Sequence, residues 1–176
     1  MNPVIRLSAI QRRLTACLGA VSLLAIASTA DARPAWRRVE DRLSYGEPTS
    51  GEAYYPGIAC AAAALTVTII PSEQAMGLRR NSNDDWIDAR GRHSPWPIRT
   101  TVRSGRLSMT VTGQLAAENF GVPEVFATVP VASPVGRAIL ATGVVDASVR
   151  RQTMHVPPIP RPMLARLAAD CRRTAG

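Results

Sequence analysis

The chain has 176 residues, and its 21 basic residues, all of them arginine, outnumber 13 acidic ones to give a formal net charge of +8. Hydrophobic residues make up 46% of the sequence, which is enough for a real core, and the length fits one domain rather than several. No segment repeats, so a solenoid or another repeat architecture is excluded.

The amino-terminal segment has the pattern of an export signal. Three arginines precede residues 14–30, which carry no charge. Ala30-Asp31-Ala32 then matches the motif of small residues that signal peptidase accepts. The sequence therefore predicts a cleaved signal peptide over residues 1–32 and a mature chain that begins at Arg33.

Two other interpretations of this segment were weighed against cleavage. Cys17 lies in an LTAC sequence that looks like a lipid-attachment box, but it precedes the apolar run, whereas a lipidated cysteine follows it. Residues 14–30 are also just long enough to cross a bilayer, so a retained inner-membrane anchor is the alternative. Their content of alanine, serine, threonine and glycine makes them only moderately apolar, which favours cleavage.

The lack of lysine is explained most simply by a GC-rich genome, with selection of arginine for bidentate anion binding as the alternative. A GC-rich source and an export signal together indicate a bacterial protein that is periplasmic or secreted. Cleavage would leave two cysteines, Cys60 and Cys171, in an oxidising compartment. We expect them to form a disulfide, with two buried free thiols as the alternative.

Residues 33–57 mix charge with glycine, proline and serine, which predicts a poorly ordered N-terminal segment. A short helix is expected within it, because Trp36, Val39 and Leu43 would share one helical face. Farther on, apolar residues alternate with threonines and predict a strand over residues 65–70. The alanine run before this strand fits a helical turn or a strand extension.

Residues 71–98 form the longest irregular stretch, which is unusually long for a plain loop and is therefore either functional or mobile. After this stretch, two alternating runs flank Ser104-Gly105 and predict a hairpin. Residues 124–132 alternate again, and Pro130, in the opposite phase, indicates an edge or a strand end.

The SPVGR sequence at residues 133–137 predicts a turn, and residues 137–150 predict a strand with Gly143 as a bulge. A last short run at residues 152–156 precedes a proline-rich segment. The chain then ends in a predicted helix, in which Leu164, Leu167 and Cys171 share one face. Cys171 would thus point toward the core and reach Cys60 if the helix packs beside the first strand.

These elements together predict a mainly β fold, either an antiparallel sandwich or a partly open barrel, with a C-terminal helix. The predicted organisation is a signal peptide (1–32), a poorly ordered segment (33–57) and a β-rich domain that ends in the helix (58–176).

The sequence offers little for a metal or a cofactor. An oxygen-rich cluster lies at Asn81, Asn83, Asp84, Asp85 and Asp88, but it departs from the EF-hand pattern and is better explained as a solvated loop. His93 and His155 lie far apart and have no zinc-site spacing. The P-loop, G-x-G-x-x-G and G-x-S-x-G motifs are absent from the sequence, and no cofactor is expected.

Arginines close to tryptophans form a candidate anion-binding surface, because guanidinium groups beside aromatic rings suit polymers that carry phosphate or carboxylate. The candidate residues are Arg79, Arg80, Trp86, Arg90, Arg92 and Trp96, with Arg99 close by. The alternative is that the arginines are solvated and the tryptophans pack in the core.

The expected function is that of an exported, non-catalytic accessory or binding module of the cell envelope. Its expected partner is an anionic envelope polymer or another envelope protein; export argues against nucleic acid, and membrane attachment requires that residues 14–30 be retained. The alternative is a small periplasmic hydrolase that uses carboxylates, such as Asp85 with Glu118, or His93. A pocket that gathers Asp85, Asp88, His93 and Glu118 would favour that alternative.

Overall fold

The computed structural model describes residues 34–46, 56–117 and 121–173, which belong to the compact unit Arg33–Gly176. The predicted signal segment, residues 1–32, lies outside the described residues. The secondary-structure elements are, in chain order, β1 (Ala35–Val39), β2 (Arg42–Gly46), β3 (Gly57–Ala61), β4 (Ala64–Ile69), α1 (Glu73–Met76), β5 (Arg79–Arg80), β6 (Trp86–Ile87), β7 (Trp96–Ser104), β8 (Leu107–Ala116), β9 (Glu124–Pro130), α2 (Pro134–Thr142), β10 (Asp146–Val149), β11 (Gln152–His155) and α3 (Arg161–Arg173).

Nine of these strands form one antiparallel sheet in the order β1-β2-β3-β4-β9-β8-β7-β10-β11, while β5 and β6 pair separately. The large sheet is a half-barrel. The prediction of a mainly β fold with a C-terminal helix is therefore confirmed. Of the two predicted arrangements, the partly open barrel is closer to this sheet than the sandwich, in which two large sheets would face each other.

One face of the half-barrel forms the hydrophobic core. Alternation along β4 and β9 buries Leu65 and Val67 together with Val125, Ala127 and Val129. Helix α2 packs against β7, β8 and β9, and α3 packs against β3 and α2. The opposite face of β7 and β8 is mostly exposed and polar, as is usual for an antiparallel sheet with a single buried face.

The predicted hairpin at residues 98–115 is confirmed as β7 and β8. Its two-residue turn is Gly105-Arg106, one position later than expected, because Ser104 pairs with Leu107. Gly105 has a φ of 59° at the first turn position, where type II′ hairpins favour glycine. Farther along β8, a Cβ atom on Gly113 would lie 2.6 Å from the carbonyl oxygen of Phe126, so glycine lets β9 pass close to β8.

The short helix expected around Trp36 and Leu43 is wrong, because β1 and β2 form a hairpin there. Trp36 pairs with Tyr45, and its indole Nε1 donates to the carbonyl of Pro157 at 2.8 Å. Trp36 and Leu43 are buried on the same side of this hairpin, whereas Val39, the third residue of the expected helical face, lies on its other side.

The turn and the long strand expected between residues 133 and 150 are also largely wrong. Helix α2 begins after Ser133, whose Oγ accepts a hydrogen bond from the backbone N–H of Gly136 at 3.0 Å. Pro134 occupies its first turn, and Gly143, with a φ of 73°, ends it. Only the last part of the expected strand exists, as β10.

The C-terminal helix and the disulfide are both confirmed. Leu164, Leu167 and Cys171 are buried along one side of α3, and Cys171 is bonded to Cys60 of β3 with a Cα–Cα distance of 5.1 Å. The disulfide thereby fastens α3 to β3, the third strand in the sheet order. Across the described residues, no helix has both the length and the apolar character that a membrane crossing needs.

Candidate binding surface

The arginines and tryptophans singled out in the sequence lie in a segment made of two similar turns. In the first, the Oδ1 atom of Asn81 accepts hydrogen bonds from the backbone N–H groups of Asn83 and Asp85, each at 2.9 Å. In the second, Asp88 Oδ1 accepts in the same way from Arg90 at 2.8 Å and Arg92 at 2.9 Å. We call residues 79–96, which include these turns and both tryptophans, the tandem-turn segment.

The fourth residue of each turn is in the left-handed region, with a φ of 64° at Asp84 and 76° at Gly91. The backbone N–H of this fourth residue donates to the carbonyl of the first residue, at 3.1 Å in the first turn and 2.9 Å in the second. Each is therefore a β-turn closed by a left-handed residue, a common hairpin connection. Within residues 71–98, which the sequence showed only as irregular, residues 81–92 are thus organised by side-chain oxygens that accept from the backbone.

Both indoles of this region are buried. Trp86 is 5% exposed and Trp96 is 6% exposed. Their Nε1 atoms donate to the carbonyls of Gly121 and Arg92, each at 3.0 Å. The side chain of Arg80 lies over Trp86, with Cζ 4.1 Å from the ring centroid. The rings therefore pack the inside of the tandem-turn segment, and neither presents an open face on which a ligand could stack.

Carboxylates offset much of the positive charge of this segment. Arg80 Nη1 lies 3.4 Å from a carboxylate oxygen of Asp84, and Arg92 Nη2 lies 2.7 Å from one of Asp88. Arg79 and Arg90 are exposed, but the same segment also contains Asp85. Its four arginines thus lie among three aspartates, which leaves a weak net attraction for an anion.

Asp88 is the residue of this segment whose ionisation is clearly perturbed. Hydrogen bonds from Arg92, first from its backbone N–H and then from its guanidinium, lower the pKa of the Asp88 carboxyl below its ordinary value, and the Arg90 N–H adds to the effect. The carboxylate thus acts as an acceptor that organises the turn.

The described residues proposed for a hydrolase are either held in separate contacts or exposed. Asp85 Oδ2 accepts from Asn81 Nδ2 at 3.3 Å, Asp88 is held by Arg92, and His93 is exposed. Three cavities, one at Ala116 and Phe126, one at Ile70 and Pro123 and one between β7 and β10, are lined by none of Asp85, Asp88 and His93. Glu118, the fourth residue, lies outside the described residues.

A different polar surface lies on the exposed face of the large sheet, where β8, β7, β10 and β11 are neighbours. Strand alternation puts every second residue of these strands on this face. We define the outer patch as Arg99, Thr101, Arg103, Thr110, Asp146, Ser148, Arg150 and Thr153.

Four hydroxyl groups cross the outer patch in one row. The strand register aligns Thr110 with Thr101, Thr101 with Ser148, and Ser148 with Thr153. The hydroxyls of Thr101 and Thr110 are 3.0 Å apart, as are those of Ser148 and Thr153. These bonds join β8 to β7 and β10 to β11 and hold the hydroxyl groups in place.

The arginines of the outer patch flank this row. Arg99 and Arg150 lie on one side of it, and Arg103 lies on the other. The ion pairs found among the described residues include none with these three arginines. Asp146 lies opposite Arg103 in the strand register, and its carboxylate shares a 2.9 Å hydrogen bond with the His155 ring. With three arginines and one aspartate, the outer patch therefore has a larger positive excess than the tandem-turn segment, which has four arginines and three aspartates.

Sequence reasoning noted Arg99 only as a neighbour of the tryptophans and missed the rest of the outer patch. The alternation of threonine with apolar residues in β7 and β8 was a usable signal for an exposed polar face. The pairing of β7 with β10 left no comparable signal in the sequence. Residues of α2 were interpreted as part of a strand, so the register of β10 could not be assigned.

Within the residues that the structure describes, no group of three or more histidine, cysteine or acidic side chains is arranged to hold a metal ion. No family model matches the chain, and comparison with curated proteins and with solved structures also gives no match.

Proposed function

We propose that this protein is an exported, non-catalytic module that binds an anionic polymer of the cell envelope on its outer patch. The observation that carries the proposal is the placement of three arginines, none of them in an ion pair among the described residues, around a fixed row of hydroxyl groups. Guanidinium and hydroxyl groups are donors, and an extended polymer with repeated acceptors needs donors along an open surface.

The spacing of these arginines also fits an extended ligand. Arg99 and Arg103 are four residues apart on one strand, which separates their Cα atoms by roughly 13 Å at about 3.3 Å per residue. Arg150 widens the positive area onto the neighbouring strand. A polymer with a negative charge on every repeat could contact more than one arginine at a time.

Two considerations support an envelope location. The Cys60–Cys171 disulfide is typical of proteins outside the reducing cytoplasm. The amino-terminal residues also have the composition of an export signal. Nucleic acid is less suited as the partner, because the outer patch contains no aromatic ring on which a base could stack.

The test is retention of the purified protein on immobilised lipopolysaccharide and on isolated cell-wall material at increasing salt. Exposed charges are screened over about 10 Å at 0.1 M ionic strength, so retention should fall steeply as salt rises. We expect the double variant Arg99→Gln/Arg103→Gln to bind roughly thirtyfold more weakly, since each arginine near an anionic surface contributes about 1 kcal/mol.

The matched control is Arg172→Gln/Arg173→Gln, which removes the same charge at the end of α3. Arg79→Gln/Arg90→Gln tests the tandem-turn segment separately. The proposal fails if the outer-patch variant binds as well as the α3 variant, or if the protein is retained on duplex DNA but on neither envelope material.

A further inference from the structure

A cavity opens at one end of the outer patch, between β7 and β10. Its volume is about 420 Å³, and it is lined by Pro97, Ile98, Arg99, Thr101, Ser148 and Arg150. Pockets that bind small ligands have volumes of roughly 300 to 1,000 Å³, so this cavity has room for one chemical group with part of its carrier. Four of its six lining side chains donate hydrogen bonds, which suits an anion.

Two guanidinium groups reach this cavity from neighbouring strands. Because Val149 pairs with Thr100, the next residue, Arg150, lies beside Arg99. Arg150 Nη1 donates to the carbonyl of Ala75 at 3.3 Å, at the end of α1. That carbonyl is neutral, and the guanidinium is therefore oriented while its positive charge is left uncompensated.

Helix α1 is itself fixed next to this cavity. The side chain of Gln152 accepts from the backbone N–H of Ser72 at 2.9 Å and donates to the Ser72 hydroxyl at 2.8 Å. These two bonds attach the start of α1 to the start of β11. Arg150 is thus held by an element that is anchored to the same sheet, which lowers the entropy lost when an anion binds.

The hydroxyl groups add donors to the two arginines. Thr101 and Thr110 share one hydrogen bond, and so do Ser148 and Thr153. Each pair has two hydroxyl protons and uses one of them in the shared bond, so one proton per pair is left for another acceptor. When Thr110 and Thr153 donate within the pairs, Thr101 and Ser148 can both donate into the cavity.

We infer that this cavity binds a phosphate monoester group carried by a sugar of the anionic polymer. A carboxylate has two oxygens, which one guanidinium fork satisfies. The terminal phosphate has three, and they match two guanidinium groups together with the Thr101 and Ser148 hydroxyls. This inference rests on the proposed function, because it names the charged group that the outer patch recognises in its polymer.

The test is a titration of isotope-labelled protein, followed by the backbone amide signals of Thr101 and Ser148. The probes are glucose 1-phosphate, inorganic phosphate and glucuronate. We expect glucose 1-phosphate to bind about tenfold or more tightly than glucuronate, because a charged acceptor gains at least one further hydrogen bond. If inorganic phosphate binds as tightly as glucose 1-phosphate, the cavity recognises the phosphate group alone. If inorganic phosphate binds more weakly than glucose 1-phosphate, the cavity recognises the sugar as well.

The variant Arg99→Lys keeps the positive charge but loses the planar guanidinium fork, and its affinity for glucose 1-phosphate should be about tenfold lower. Ser148→Ala tests the hydroxyl donor independently, and this variant should also have a lower affinity for glucose 1-phosphate. Arg172→Lys on α3 is the matched control and should leave binding unchanged.

The inference is wrong if glucuronate binds as tightly as the sugar phosphate, if the shifted signals lie away from β7 and β10, or if Arg99→Lys binds like the unmodified protein. If the protein is still retained on envelope material in a salt-sensitive way, these results contradict only the phosphate inference and not the proposed function. Loss of that retention instead overturns the proposed function.

Discussion

Replacing Cys60 and Cys171 together by alanine should remove a large part of the stability of this fold. The disulfide joins residues 111 positions apart and encloses every element from β4 to β11. The chain-entropy relation gives about 4.8 kcal/mol for a loop of that length at 25 °C, and removal of native disulfides typically costs about 2 to 5 kcal/mol. We expect a loss of about 3 to 5 kcal/mol, against a total stability of about 5 to 15 kcal/mol for a typical domain.

Urea denaturation of the variant and of the unmodified protein, each with and without reductant, measures this loss. The unfolded chain without its cross-link is more extended, so the dependence of unfolding free energy on urea should also become steeper. The unmodified protein in reductant serves as the control, because it should unfold like the double variant.

A loss below about 1 kcal/mol with an unchanged urea dependence would refute this reasoning. It would mean that the reduced, unfolded chain is already as compact as the cross-linked one. Alanine is preferred to serine at Cys171, which is 3% exposed, because a buried hydroxyl without a partner would add a cost of its own.

Two further predictions concern the tandem-turn segment. Trp86→Ala and Trp96→Ala should each cost about 3 to 5 kcal/mol in thermal or urea unfolding, because both rings are buried. Trp96→Phe should cost less than Trp96→Ala, because it loses the hydrogen bond to Arg92, about 1 kcal/mol, and only part of the buried ring. A loss under about 1 kcal/mol for either alanine variant would contradict burial. The lowered pKa of Asp88 means that its stabilising contribution is complete above the ordinary aspartate value of about 4 and is lost as pH falls through the lower value of the folded state. In the Asp88→Asn variant, the free energy of unfolding measured with urea should fall less steeply as the pH is lowered. The same pH dependence in the variant and the unmodified protein would count against a role for the carboxylate.

The strands that sequence reasoning located correctly are those whose period-two pattern is reinforced by burial. Leu65 and Val67 in β4, and Val125 and Val129 in β9, face the core and alternate with exposed or polar residues. Their alternating pattern is visible in the sequence because one face of the sheet is buried and the other is exposed to solvent.

The errors arose where turns lack the usual residues or where two patterns overlap. The β1–β2 turn has Glu40 at a φ of 54°, and the β3–β4 turn has Ala62 and Ala63 at 49° and 58°. Glycine or asparagine is normally expected at such positions, so these turns gave no sequence signal. For α2 the opposite holds: Ser133-Pro134 and Gly143 are ordinary helix boundaries, but they were outweighed by alternating apolar residues.

The outer patch could not be assembled from the sequence because it depends on strand order. Arg99 and Arg150 come together only when β10 pairs with β7, and the chain passes through three other elements between these two strands. Nearness along the chain instead favoured the tandem-turn segment, where the tryptophans are buried and aspartates offset much of the charge.

The contacts at the two ends of the described chain have a consequence for how the protein folds. The indole of Trp36 in β1 donates to Pro157, 121 positions later, and Arg38 pairs with Asp170, 132 positions later. Contacts of such sequence separation form late, since the long intervening chain must first be ordered. The first hairpin can pair with β3 early, but the contacts that cover Trp36 and Arg38 form only once Pro157 and α3 have reached their places. Final packing of the first hairpin is thus coupled to the docking of α3, although the two elements lie at opposite ends of the described residues.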